Sequence, residues 1–223
     1  MSSSPIRGEA VFVRALKKIL GYIVLTAAAL TFIYPFLWMI SASFKPENEI
    51  GSLNLIPKNF TLRGYEAVFT QIPITRALLN SILVSVVSTA CVLIFSSMVG
   101  YALARLRFIG RDTIFNIVLL TMMIPGQLTL IPMYVLIVKL GWADTYKALI
   151  IPAMISNMGI IIFRQFFRSL PQELVDAARI DGCSDYKILF KIFWPLSKPS
   201  LVTVGITTFI GSWNEVLWPL IVI

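Results

Sequence analysis

Two stretches hold the residues whose types could do chemistry. The first, Ser169–Ser200, carries Asp176, Asp181 and Asp185 interleaved with Arg179, Lys187 and Lys191. Carboxylates mixed this closely with bases read as a solvated or interfacial charge pattern, not as an acid–base pair. The second is Asn214-Glu215, set in the apolar run that starts at Leu201. A carboxylate inside a membrane is costly and usually faces a bundle interior or water. If the helix begins near Ser200, Glu215 lies about 22 Å along it at ~1.5 Å per residue. Two readings fit that depth: a position lining a pathway or gate, or an interfacial charge at a kink before Pro219, including an ion pair with a partner. Histidine is absent, which removes histidine-ligated haem and histidine-based zinc. Cys91 falls in an apolar run and Cys183 in the polar stretch, too unlike in setting for a disulfide or a thiolate metal site. No catalytic residue, metal site or cofactor is expected. No Gly-x-x-x-x-Gly-Lys-Ser/Thr loop occurs to cradle phosphates, so any nucleotide chemistry belongs to another chain.

The elements that must position these residues are membrane helices. Hydrophobic residues make up 57% of the 223 and charged ones only 13%, against about 25% charged in a soluble domain. Mean hydropathy is +0.84. The formal net charge of +8 could suggest nucleic acid. The bases instead cluster at the ends of apolar runs, which suits orientation in a bilayer. The fold class expected is all-α, a polytopic helical membrane protein.

Apolar runs predict spans at about 19–43, 76–103, 113–138, 148–167 and 200–223, with a short basic tail before the first. The first run is too long for a signal-peptide core. Between the first two lies a proline-bearing loop, 44–75, with a short helix around 62–69. The second run is rich in small residues, including Ser88, Ser96, Ser97 and Gly100, which let helices approach closely in lipid. Pro125 sits near the middle of the third and should kink it. The kink could serve packing or line a pathway. Assigning alternate loops to opposite sides puts 13 of the 19 Lys and Arg on the side of the amino terminus and of Ser169–Ser200. That side is therefore expected to be cytoplasmic.

Within the polar stretch, Ser169 and Gln172 have capping-box spacing, predicting a helix from about Pro171 to Ile180. Asp181-Gly182 should break it. Ser184 or Asp185 can cap a second helix to about Phe193, ended by Pro195 and Pro199.

At these residues the chain resembles the permease subunits of binding-protein-dependent ABC importers. Asp176-Ala177-Ala178, three residues, Gly182, nine residues, then Ile192-x-Trp194-Pro195 is similar to their "EAA" loop, with aspartate for the usual glutamate and tryptophan for a leucine. Ser212-Trp213-Asn214-Glu215-Val216-Leu217-Trp218-Pro219-Leu220 resembles the fifth span of sugar-importer permeases, specifically the shorter of a two-permease pair. The resemblance implies a type I permease bundle in a prokaryotic cell membrane. Its loop, 169–199, would dock on a cytoplasmic ATPase dimer through Asp176, Ala177, Ala178 and Gly182, with Asp181 beside them. It also implies a second permease, an extracytoplasmic solute-binding protein and a sugar or polyol cargo, with Asn214, Glu215 and Pro125 as pathway or gate candidates. The loop is shared across amino-acid, peptide and anion importers, which remain alternatives for the cargo. A membrane-embedded enzyme or redox subunit is the remote alternative. The family has six spans, so a final loop and span are expected beyond residue 223.

Overall fold

The computed structural model describes the backbone of residues 5–223 and the side chains from Arg14 onward. Among the described residues all regular structure is helical. The chain divides into two compact units, Met1–Thr75 and Arg76–Ile223.

In the first unit, helix α1 runs Pro5–Ala42. The expected basic tail is thus helical from Pro5, a correction explained by proline's fit to a first helical turn; residues 1–4 of that tail lie outside the described residues. At 38 residues, α1 is about 57 Å long, well beyond a hydrocarbon core of about 30 Å. The loop that follows is tightly organised. Lys45 is 5% exposed. Its Nζ donates to the Ser52 carbonyl at 3.2 Å and the Asn54 carbonyl at 2.5 Å, as a buried ammonium requires. Glu49 accepts the Lys58 and Asn59 amides, at 2.7 and 3.3 Å. Those bonds, Lys58 first, hold its carboxyl below the usual range. Phe44 stacks on Phe60 at 5.0 Å. Helix α2, Arg63–Gln71, occupies the place of the short helix expected around 62–69.

The second unit is built on α3, Ile74–Arg105. Then come α4 (Arg111–Thr121), α5 (Gly126–Lys139), α6 (Tyr146–Ile150), α7 (Asn157–Ser169), α8 (Glu173–Ile180) and α9 (Asp185–Ile188). A π turn, Leu189–Phe193, carries α9 into α10 (Trp194–Leu196), and α11 (Lys198–Trp213) and α12 (Leu217–Val222) complete the unit. The small residues of α3 meet α7. A Cβ built on Gly100 would lie 2.7 Å from Phe163 Cβ, and one on Gly159 3.2 Å from Ser96 Cβ. Ser96 Oγ accepts the Ser156 amide at 3.0 Å.

Three of the expected runs are broken, the first of them at the kink expected from Pro125. The run 113–138 is α4 and α5, bent by 101°. Pro125 supplies no N–H, and the Thr121 carbonyl it would have bonded takes the Ile124 amide instead, at 3.2 Å. The run 148–167 is interrupted between α6 and α7, with Pro152 in the gap. The run 200–223 stops at Asn214, whose backbone and side-chain N–H groups both return to the Ile210 carbonyl, at 3.0 and 2.9 Å.

Candidate functional site

The polar stretch forms two helices joined by a sharp turn. Helix α8 ends at Asp181-Gly182 with Gly182 at φ +73°. The Cys183 amide reaches the Ala178 carbonyl at 2.9 Å and the Gly182 amide reaches the Arg179 carbonyl at 3.0 Å. That is the Schellman pair of bonds, which needs a left-handed residue where Gly182 stands. Ser184 Oγ then accepts the Lys187 amide at 3.4 Å and starts the second helix. The expected capping box at Ser169 does not form. Ser169 still belongs to α7, and its hydroxyl donates back to the Phe166 carbonyl at 2.7 Å.

One side of this hairpin is sealed. Val175 (0% exposed), Ala178 (5%), Ile188, Leu189 and Phe193 pack in one core with Phe163 and Phe167 of α7 and Tyr101 of α3. The other side is open: Asp176, Ala177, Asp181 and Gly182 are exposed, and Ile180 is 87% exposed. The five docking candidates are therefore split. Four face outward, while Ala178 faces inward, because Ala177 and Ala178 stand about 100° apart around a helix.

Arg105, in the last turn of α3, ties the hairpin to the membrane helices. Its Nε and Nη2 donate to the Phe167 carbonyl at 3.0 and 2.6 Å, and Nη2 also donates to the Leu170 carbonyl. Nη1 donates to Gln172 Oε1 at 2.7 Å, and Gln172 Nε2 donates to Asp176 Oδ1 at 3.1 Å. The guanidinium lies 5.5 Å from the centre of the Phe193 ring. Tyr101, one turn earlier, donates to Asp185 Oδ1 at 3.2 Å. Asp185 pairs with Arg179 at 3.1 Å, and that hydrogen bond raises the Arg179 guanidinium above its already high ordinary value. Trp194, where the family pattern has leucine, donates its indole N–H to Ser97 Oγ at 3.0 Å, a contact that a leucine could not make. Sequence alone marked Ser97 only as a small residue for close packing and Arg105 only as a base near a helix end, which reads equally well as a topology marker; their ties to the hairpin, and that of Tyr101, appear only in the folded chain.

The broken helices line an open cavity of about 490 Å³. Gln127 of α5, Ser88 of α3, Pro152 in the gap, Thr208 of α11, and Glu215 and Trp218 around the last break all line it. Of the three pathway candidates, Glu215 is in the lining. Pro125 turns the chain into Gly126 and Gln127, which are also in the lining, and Asn214 caps the end of α11. Glu215 Oε1 also accepts the Trp218 amide at 3.1 Å. Glu215 thus sits at a helix break and lines the cavity.

Helices that stop and restart around a cavity, beside a polar hairpin pinned to their ends, define a polytopic transport subunit. Residues 93–223 match the family described as binding-protein-dependent transport system inner membrane component, and the chain belongs to that family. The arabinooligosaccharides transport system permease protein AraQ of Halalkalibacterium halodurans is 42% identical over 196 residues, covering 86% of this chain and 70% of the relative. Protein LplC of Bacillus subtilis is 40% identical, covering 82% and 62%. The lactose transport system permease protein LacG of Rhizobium radiobacter is 31% identical, covering 94% and 77%. Among solved structures, a bacterial ABC transporter involved in the import of the acidic polysaccharide alginate matches with a TM-score of 0.84 at 27% identity. That match covers 100% of this chain and 77% of the other.

Proposed function

We propose that this chain is the transmembrane subunit of an ATP-driven carbohydrate importer, itself non-catalytic, with its amino terminus and its polar hairpin in the cytoplasm. ATP is hydrolysed on a separate ATPase dimer whose cleft receives the exposed side of α8 and the turn at Gly182. Closure of that dimer pulls on the hairpin, and Arg105 passes the pull to α3 and α7, so the cavity opens alternately to either side of the membrane. A second permease completes the pathway, and a solute-binding protein delivers the cargo. The observation that carries this reading is the two-sided hairpin: one side locked to the ends of membrane helices, the other free and tipped by small residues. The carbohydrate cargo is supported by the names of the relatives, several of which move oligosaccharides or lactose.

The test is crosslinking in native membranes from single cysteines, one at Ala177 and one at Ala178. A cysteine at Ala177 should capture a nucleotide-hydrolysing subunit. At Ala178, 5% exposed, capture should be at least several-fold weaker. Free labelling of Ala177→Cys from outside the cell would invert the topology and end the proposal.

A further inference from the structure

We propose that Glu215 makes the cavity a charge filter, passing neutral, hydroxyl-rich solutes and holding back anionic ones such as uronates and phosphorylated sugars. This deepens the reading of the chain as a carbohydrate pathway subunit and rests on it.

The argument begins with the lining. Among the described residues, Glu215 is the one ionisable side chain in it, and no lysine or arginine accompanies it. The other polar groups there are neutral: the Gln127 amide and the hydroxyls of Ser88, Thr129, Thr208 and Ser212. Ser88 is 1% exposed and its Oγ has no hydrogen-bond partner. Amides and hydroxyls beside the Trp218 face suit a solute with apolar faces and polar edges. An anion in the same space would meet the Glu215 carboxylate, with no lysine or arginine of this chain among the described lining residues to offset it.

Glu215 is held where it can act. Its Oε1 accepts the Trp218 amide, and the Trp218 indole is anchored on the Ala148 carbonyl at 2.9 Å. The carboxylate is therefore tethered at the helix break.

Glu215→Gln separates charge from structure, because the amide oxygen still accepts the Trp218 N–H while the charge is gone. In the assembled importer, with Cys91→Ser and Cys183→Ser as background, Thr208→Cys is labelled with a cationic and with an anionic alkylthiosulfonate. Glu215→Gln should shift the cation-to-anion rate ratio toward the anion by about tenfold. A ratio that changes by less than twofold overturns the filter. Absence of any labelling overturns it too, since the cavity would then be closed to water-borne solutes. A second arm compares proteoliposome uptake of a neutral oligosaccharide and of a galacturonate oligosaccharide of equal length. Faster neutral uptake, with the gap narrowed by Glu215→Gln, supports the filter. If the unmodified importer moves neither probe, the carbohydrate reading falls, whatever the thiol result. If it moves both equally and Glu215→Gln changes nothing, the filter alone falls.

Discussion

The indole N–H of Trp218 donates to the carbonyl of Ala148 at 2.9 Å. That carbonyl is the one that residue 152 would bond in a continuous helix, and residue 152 is proline. The break between α6 and α7 and the break between α11 and α12 are thus joined: a side chain from one repairs the backbone of the other. Ala148 is 0% exposed, so the carbonyl has no water to fall back on. Trp218→Phe should keep most of the packing and lose about 1–3 kcal/mol, the usual consequence of orphaning a buried polar group. Thermal unfolding of the purified protein measures it. An unchanged midpoint would mean that another donor takes the carbonyl.

Gly100 and Gly205 make a matched pair. A Cβ at Gly100 would stand 2.7 Å from Phe163 Cβ and 3.0 Å from the Arg164 amide nitrogen, whereas one at Gly205 meets only the Leu93 side chain, at 3.8 Å or more. Gly100→Ala should force α3 and α7 apart and destabilise by about 1–3 kcal/mol. Gly205→Ala should be neutral or stabilising by up to about 1 kcal/mol through helix propensity. Comparing the two melting temperatures checks both.

Arg105→Lys keeps the charge but has one nitrogen where three N–H-bearing positions now reach the Phe167 and Leu170 carbonyls and Gln172. Transport should fall by an order of magnitude or more while basal ATP hydrolysis by the assembled complex continues, because the handle stays bound but slips against the helices. Parallel loss of hydrolysis and transport would point to a folding defect instead. Rates of uptake and of phosphate release, measured on one preparation, separate these outcomes.

Gly182→Asp should abolish transport with membrane insertion intact. The site has open space around it, nothing lying within 4 Å of a built Cβ. The penalty inside this chain is therefore the left-handed backbone, on the order of 1–2 kcal/mol, and not a clash. Gly182→Asn, which tolerates that backbone better, should melt closer to the parent yet still transport poorly, since the side chain occupies the proposed docking surface. Normal uptake by both variants would remove the turn from the docking face.

The loop after α1 should respond to acid. Glu49 is held below its ordinary value by the Lys58 amide first and the Asn59 amide after it. A depressed carboxyl contributes stability that is fully present above its unfolded value and is lost as pH falls through the lower folded one. Amide exchange at Lys58 and Asn59, corrected for its intrinsic pH dependence, should show protection at neutral pH that disappears below the ordinary carboxylate range. Glu49→Gln should weaken that protection already at neutral pH and flatten the profile.

Composition and spacing alone established a helical membrane protein with a polar hairpin. Apolar runs of span length have few other solutions, and a turn at Gly182 follows from one residue's backbone freedom. Spacing also located the close approach of small residues on α3, though not its partner. What periodicity cannot carry is whether a run stays straight. The run 148–167 is free of polar side chains from Ala148 to Ile155, and Pro152 leaves continuation or breakage to whatever can repair the freed carbonyl. Trp218, 70 residues away, decides it. The split of Ala177 from Ala178 likewise required knowing which face of α8 meets Phe163 and Phe193. Arg105 became the hub of the hairpin only when folding brought the carbonyls of Phe167 and Leu170 to its guanidinium. Local pattern sets what each segment is able to form; long-range hydrogen bonds between breaks choose among the forms, and those bonds exist only once distant helices have packed.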